Sequence, residues 1–325
     1  MNRLLEVWNI KEYFPVRKSL FRQPLWVRAV DDVSFYIDEG ETLGLVGESG
    51  CGKSTIGLLI LCLLQPTEGG ILFQDKNIFS LPQNERLGFR RNVQIIFQDP
   101  YSSLNPRKTV KEVLSRPFRI HRVAKKRDDV RDMVVALLED VGLTPPESFL
   151  NRYPHEMSGG QRQRVAIARA IALKPKLVIA DEAVSSLDVS IRAQILNLMK
   201  DFQNKYNLAY LFITHDLATL RSVSHRVAVM YLGKLVEVGA TEEVFQNPLH
   251  PYTKALLASV PVPDPVYSRQ REPIVLSGDV PSPVTPPPGC RFHTRCSIAK
   301  ESCQSKEPLL LDVGNGHLVA CAGGQ

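Results

Sequence analysis

The sequence has no apolar stretch long enough to span a bilayer. Its longest, Leu58–Leu64, has seven residues, against the about 18 that a membrane helix needs. It also has no apolar leader: MNRLLEVWNIKEYF at the start carries Glu6, Lys11 and Glu12. Both absences predict a chain that stays in the cytoplasm, free to sit against a membrane protein. No segment repeats at a period of 20–50 residues, which excludes a solenoid or propeller. Charge of one sign is not in large excess. The 40 Lys and Arg against 34 Asp and Glu give a net +6, which favours nucleotide, acidic lipid or acidic protein surfaces and requires none of them. Nucleic acid is not expected as a partner. Cysteine is scarce until the end. Cys51 and Cys62 lie in the first quarter, and Cys290, Cys296, Cys303 and Cys321 fall within the last 36 residues. Disulfides are disfavoured in a reducing compartment, so this cluster points to a metal.

What is present is enough for one large domain with an appendage. With 325 residues, 44% hydrophobic and 23% charged, a sizeable core can form. Val30, Val33, Phe35 and Ile37 largely alternate with polar residues and predict a half-buried strand near the N-terminus. Thr42–Val46 reads as a short buried strand, Lys53–Leu64 as a helix stopped by Pro66. Residues 99 to about 157 are charged, punctuated by proline and mostly helical. A further helix is predicted from Ser158 through Leu173, and another over Ser190–Asn204. Val93–Phe97, Leu177–Ala180 and Tyr210–Thr214 are apolar strands. Val227–Tyr231 and Lys234–Val238 form a hairpin turning at Gly233. Apolar strands alternating with helices imply an α/β fold with a parallel sheet covered on both faces. Residues 248–290 hold eleven prolines and read as a linker or extended arm rather than a core element.

Three motifs carry chemistry. Gly47-Glu48-Ser49-Gly50-Cys51-Gly52-Lys53-Ser54 is a complete G-x-x-x-x-G-K-S/T loop between a strand and a helix. Its glycines let backbone N–H groups turn onto phosphate oxygens, and the helix N-terminus favours the same anions. Lys53 then reaches the β- and γ-phosphates and Ser54 ligates Mg²⁺. A plain glycine turn is the competing reading, disfavoured by the flanking strand and helix. Second, the strand LVIA ends in Asp181 and Glu182, suited to Mg²⁺ and to a nearby water respectively. Many strands end in acids, so this signal leans on the first. Third, Ser158-Gly159-Gly160-Gln161 opens an Arg-rich helix. An ordinary N-cap accounts for Ser158, but the two glycines also permit close approach to an anion. Gln98 and His215 each follow an apolar strand, where open α/β sheets bind ligands. Either one alone reads equally as a polar strand-end residue.

Taken in order, the Gly47–Ser54 loop, Gln98, MSGGQ at 157–161, LVIADE at 177–182, SSLD at 185–188 and ITHD at 213–216 resemble the nucleotide-binding subunits of ABC transporters. The stretches GETLGLVGESGCGKST at 40–55, IIFQDPYSSLNPR at 95–107 and NPLHPYTKALLASVP at 247–261 are similar to the ATP-binding subunits of oligopeptide and dipeptide importers, and nickel importers resemble these. The tail GCRFHTRCSIAKESC with VAC at 319–321 matches as well.

The resemblance implies a RecA-like P-loop core with an antiparallel β-subdomain, a helical subdomain inserted at about 99–157, and a Cys-containing C-terminal arm. Residues 1–247 would be the nucleotide-binding domain and 248–325 the arm. The implied activity is ATP hydrolysis that powers import of di- or oligopeptides. ATP would contact Phe14, Gly47, Ser49, Gly50, Cys51, Gly52, Lys53, Ser54, Thr55, Gln98 and His215. Phe14 stacks on adenine, with Tyr13 the competing choice. Ser54, Gln98 and Asp181 hold Mg²⁺, Glu182 is the general base and His215 bonds the γ-phosphate. Ser158, Gly159, Gly160, Gln161 and Asp188 face ATP on a second ATPase subunit, identical or paralogous. Two membrane-spanning permease subunits are the implied partners at the cytoplasmic face of the membrane, with an extracytoplasmic peptide-binding protein beyond them. Members that act on DNA or in translation carry long insertions or second cassettes, for which the interval from Gln98 to Ser158 leaves no room. The intact Lys53, Asp181, Glu182 and His215 argue against a binding module without catalysis. Three positions depart from the family pattern: Met157 for Leu, Ser186 for Ala and Ala183 for Pro. Alanine leaves φ freer than proline does, which predicts a looser loop at Glu182.

The tail cysteines have five, six and seventeen residues between them. Four thiolates suit zinc or an iron–sulfur centre, and this spacing fits neither a zinc ribbon nor a ferredoxin run. His293 is a candidate substitute ligand. The resemblance implies a 4Fe–4S cluster on Cys290, Cys296, Cys303 and Cys321 with a structural role, and zinc is the alternative.

Overall fold

The computed structural model describes residues 2–16, 25–123, 127–260, 276 and 278–322. The strands, in chain order, are β1 (Arg3–Val16), β2 (Leu25–Asp38), β3 (Thr42–Val46), β4 (Glu68–Phe73), β5 (Lys76–Asn77), β6 (Val93–Ile96), β7 (Leu177–Asp181), β8 (Ala209–Thr214), β9 (Arg226–Tyr231), β10 (Lys234–Ala240), β11 (Leu311–Asp312) and β12 (Leu318–Val319). The chain divides into two compact units. One holds residues 1–2, 38–41 and 80–213, the other residues 3–37, 42–79 and 214–325.

The second of these units carries the antiparallel subdomain, in the order β2-β1-β4-β5. Val30, Val33, Phe35 and Ile37 are all buried. Asp32 lies between the first two at φ 61°, and the kink keeps Val30 and Val33 on one side despite their odd spacing. β3 is buried throughout and runs parallel to β9, Val46 beside Val229. β9 and β10 form the expected hairpin, with Leu232 and Gly233 at φ 44° and 84°, the left-handed pair that a tight hairpin turn needs. β12 pairs with β10 and β11 with β12, both antiparallel.

The Pro-rich stretch differs from its expected extended form. It opens on a helix, Pro251–Ala258, with His250, Tyr252, Thr253 and Ala255 buried. Pro248 and Pro251 precede or start the helix, where a missing N–H costs nothing, so counting prolines hid a core element. Residues 261–275 lie outside the described residues. The tail beyond them is also packed: Phe292 is 2% exposed and Val319 is buried on β12.

In the other unit, β6, β7 and β8 are parallel, with Ile96 opposite Ala180 and Asp181 opposite Ile213. The first four residues of β7 and all of β8 are buried, as a sheet covered on both faces requires. The insert is helical as expected: Pro100–Ser103, Val110–Ile120, Arg127–Asp140, Glu147–Leu150 and a 3₁₀ turn at Pro154–Glu156. Thr109 and Glu112 close a capping box on Val110–Ile120, fixing where that helix starts. Leu114, Phe118, Val134 and Leu138 form its core, and the Gly159–Ile171 helix packs against both the insert and β6. The helix Gln83–Asn92 was not anticipated. It has one buried apolar residue, Phe89, so no apolar stripe marks it in the sequence.

Candidate functional site

The phosphate loop leaves the end of β3 and enters the helix Lys53–Ile60. Gly52 sits at φ 107°, and a Cβ there would overlap the Ala29 carbonyl; one at Gly47 would overlap the Met230 carbonyl. Glycine is therefore obligatory at both ends of the loop. Lys53 is 5% exposed. Its Nζ donates to the carbonyls of Gly47 at 2.7 Å and Glu48 at 2.9 Å, so the ammonium is held over the loop. Ser49, Gly50 and Ser54 are exposed and Thr55 half-buried, leaving the outer rim open to an anion. Burial pushes the Cys51 thiol up, against the pull of Lys53, which keeps it a neutral part of the wall.

Three further predicted site residues, Tyr13 as the alternative to Phe14 among them, fall in the same unit as this loop. Tyr13 and Phe14 lie near the end of β1, both half-buried. The Tyr13 hydroxyl donates to Asp31 at 2.5 Å, and the Arg28 guanidinium lies 5.8 Å from its ring centre. Burial and then Asp31 push the Tyr13 pKa up. His215 is exposed just past β8. The Asp216 after it caps the helix Leu217–Val223 by accepting from the Ala218 and Thr219 N–H groups.

The other unit holds the acidic half of the predicted set. Ile96 and Ala180 are in register on parallel strands. Two residues beyond each, Gln98 Nε2 donates to a Glu182 carboxylate oxygen at 2.7 Å. Asp181, half-buried at the end of β7, precedes it. Glu182 has φ 47°, a strained value for a residue with a Cβ. Its N–H bonds the Ile213 carbonyl at 2.8 Å, and its carbonyl accepts from the Ser185 N–H and hydroxyl. Ala183 is buried. These bonds hold the Glu182 loop where the family pattern has a proline.

Ser158 caps the Gly159–Ile171 helix in a reciprocal box with Gln161, at 3.3 and 3.0 Å. Both readings of Ser158 thus remain compatible: it caps, and it stays exposed. A Cβ on Gly159 would meet open space. Asp188 precedes the helix Val189–Tyr206 without capping it. It is exposed beside Val189, itself 80% exposed.

The four tail cysteines are free and half-buried, and they line one cavity together with His250 and Phe292. His293, whose Nδ1 is 2.8 Å from the Cys290 carbonyl oxygen, lines it too. Burial, with the other three sulfurs adding, pushes the Cys290 thiol up to about 11. Among the described residues, no group of three His, Cys, Asp or Glu side chains is gathered to hold a metal ion. The expected metal centre is thus not preformed: the sulfurs share a space without meeting at a point.

Sequence reasoning missed the residues that hold the loop from behind. Tyr252 accepts from the Glu48 N–H at 2.9 Å, and Arg295 binds the Glu48 carboxylate. Arg291 binds Asp31 and the Leu232 carbonyl. Contacts this far apart in the chain, 204 to 260 residues for all but the one to Leu232, leave no periodic trace. The available hint was that the two arginines stand next to cysteines.

Comparison with known proteins agrees with this geometry. A family profile described as ABC transporter matches residues 30–185, and one described as oligopeptide/dipeptide transporter, C-terminal region, matches 236–303. The oligopeptide transport ATP-binding protein AppF of Bacillus subtilis is 52% identical, covering 98% of this chain and 96% of its own. OppF of Salmonella typhimurium, also an oligopeptide transport ATP-binding protein, is 47% identical over 98% and 95%. Among solved structures, CbiO1 of Clostridium perfringens superposes with a TM-score of 0.64 at 27% identity, covering 76% of this chain and 92% of that one. The ATP-binding cassette MJ0796 bound to ADP and Pi gives 0.64 at 28% identity, over 73% and 98%. The chain belongs to the ABC transporter ATPases, in the group of oligopeptide and dipeptide transport ATP-binding proteins.

Proposed function

We propose that this chain hydrolyses Mg-ATP to drive uptake of di- or oligopeptides, with Glu182 as the base that activates water. The observation that carries this reading is the Gln98–Glu182 hydrogen bond at the ends of two parallel strands. That bond holds a carboxylate beside an amide, which supports Glu182 as the base and Gln98 as the group that orients water. Lys53 and the loop Gly47, Ser49, Gly50, Cys51, Gly52, Ser54 and Thr55 hold the phosphates. Phe14 stacks on adenine and His215 bonds the γ-phosphate. Ser54, Asp181 and Gln98 offer hard oxygen donors that fit Mg²⁺, which when bound neutralises phosphate charge. The exposed Ser158–Gln161 turn, Asp188 and Val189 support a second ATPase subunit facing this one, each helix N-terminus closing the other's site.

Partners in the membrane are proposed on the helical insert. A groove between the insert and the helix Gln83–Asn92 is lined by Leu87, Phe97 and Ile120 with Arg90, Lys108 and Arg116. All three apolar side chains are at least 37% exposed. Because Phe97 adjoins Gln98, a permease loop seated there would report on the nucleotide. Among the described residues no helix is long and apolar enough to cross a membrane. The cytoplasmic face is its proposed place.

The convergence of Cys290, Cys296, Cys303 and Cys321 on one cavity supports a 4Fe–4S cluster, with zinc as the other candidate, since soft thiolates suit both. When bound, such a centre supplies bonds that tie the tail together.

The test is Glu182→Gln. The amide keeps the shape and accepts from Gln98, so ATP affinity should stay within a few-fold while turnover falls by about 10²–10⁴. Nucleotide titration and phosphate release measure the two separately. Turnover near wild type would remove Glu182 from the base position.

A further inference from the structure

We propose that Arg291 and Arg295, each adjacent to a tail cysteine, are positioning residues for the nucleotide site, Arg295 acting on the phosphate loop through Glu48 and Arg291 on the adenine side through Asp31. The proposal rests on the ATP reading above and adds a role for the tail within the same compact unit.

Arg295 places one guanidinium nitrogen 3.1 and 3.0 Å from the two Glu48 carboxylate oxygens. Its side chain is 8% exposed and that of Glu48 25%, so water screens the pair only in part. Glu48 is the second residue of the phosphate loop. Its N–H donates to Tyr252 and its carbonyl accepts from Lys53. The residue that holds the Lys53 ammonium is therefore itself held by the tail at its side chain and by the Pro251–Ala258 helix at its backbone.

Arg291 makes the parallel contact one turn away. It donates to the Leu232 carbonyl and to Asp31, and both members of that ion pair are buried. Gly233, next to Leu232, donates its N–H to the Cys51 carbonyl at 3.0 Å, so Arg291 braces the turn that meets the far end of the loop. The second Asp31 oxygen accepts from Tyr13, the neighbour of Phe14. Between the arginines Phe292 is wedged against Tyr231 and Tyr252, with ring centres 5.2 and 5.5 Å apart. Two charged contacts on a packed aromatic wedge can set loop position, because neither end is free to slide.

A purely structural tail predicts lost stability with unchanged nucleotide kinetics. The test compares Arg295→Gln, Arg295→Lys, Glu48→Gln and the Arg295→Gln/Glu48→Gln double variant in the full chain, reading KM for Mg-ATP, kcat and the thermal midpoint. Arg295→Gln and Glu48→Gln should each raise KM about tenfold with kcat within about twofold, as expected when a charged contact that sets a binding loop is lost. Arg295→Lys should recover most of the affinity. The double variant should be no worse than either single one, because both remove the same contact. Unchanged KM in both single variants, or additive effects in the double, would overturn the proposal. If Arg295→Gln does not fold, Glu48→Gln decides alone from the loop end: a raised KM supports the proposal and an unchanged one overturns it. A wild-type chain without Mg-ATP hydrolysis would instead sink the ATP reading itself.

Discussion

Lys53 shows how single residues are prepared for a ligand. Its Nζ is held by two loop carbonyls and its side chain is buried, so little rotamer entropy remains to be lost on binding. Lys53→Ala should weaken ATP binding by roughly tenfold to a hundredfold, the range for one charge-assisted contact, and abolish hydrolysis. Calorimetry with Mg²⁺ present measures it, and an unchanged affinity would count against the phosphate role. Residues of this kind were legible in the sequence because phosphate chemistry demands them at fixed spacing. Gly52 and Lys53 are adjacent, and Gln98 and Glu182 each stand two residues past an apolar strand pair. Arg295 and Glu48 are 247 residues apart, and nothing in a linear pattern joins them.

At the scale of elements, short parallel strands were easy to read because burial on both faces leaves unbroken apolar runs. The helix Pro251–Ala258 was not, because Pro248 just before it and Pro251 at its first position read as a linker. The contact between the tail and the β1–β2 pair is equally invisible in sequence and depends on Asp31. Burial works against its charge, but the Tyr13 hydroxyl and Arg291 outweigh this and hold its carboxyl below the usual range. A depressed carboxylate stabilises the fold above the unfolded pKa of about 4 and loses that contribution as pH falls through the folded value. Asp31→Asn leaves Arg291 buried without its counter-charge and should cost about 2–4 kcal/mol near neutral pH. Thermal midpoints of variant and wild type should differ by a constant amount from pH 8 to pH 5 and converge below about pH 4. A gap that does not narrow at all as pH falls below about 4 would show that the loss comes from packing and not from charge.

At the scale of the whole molecule, the chain is a transport ATPase whose described residues include a phosphate loop, an exposed apolar groove and a pocket lined by four cysteines. The cysteine pocket can be tested by its metal. Protein purified without oxygen should be brown, absorb broadly near about 400 nm and contain close to four irons per chain. A colourless protein with one zinc would replace the cluster and leave Cys290, Cys296, Cys303 and Cys321 as ligands. The central claim is that ATP hydrolysis here is coupled to peptide movement, and the most direct measurement is uptake. The chain is reconstituted with its permease subunits and peptide-binding protein in vesicles, with the ATPase side facing the ATP. Labelled peptide should accumulate only with Mg-ATP, and Glu182→Gln should reduce uptake in step with phosphate release. Accumulation at full rate by the Glu182→Gln complex, or ATP hydrolysis at full rate with no peptide moved, would contradict the account.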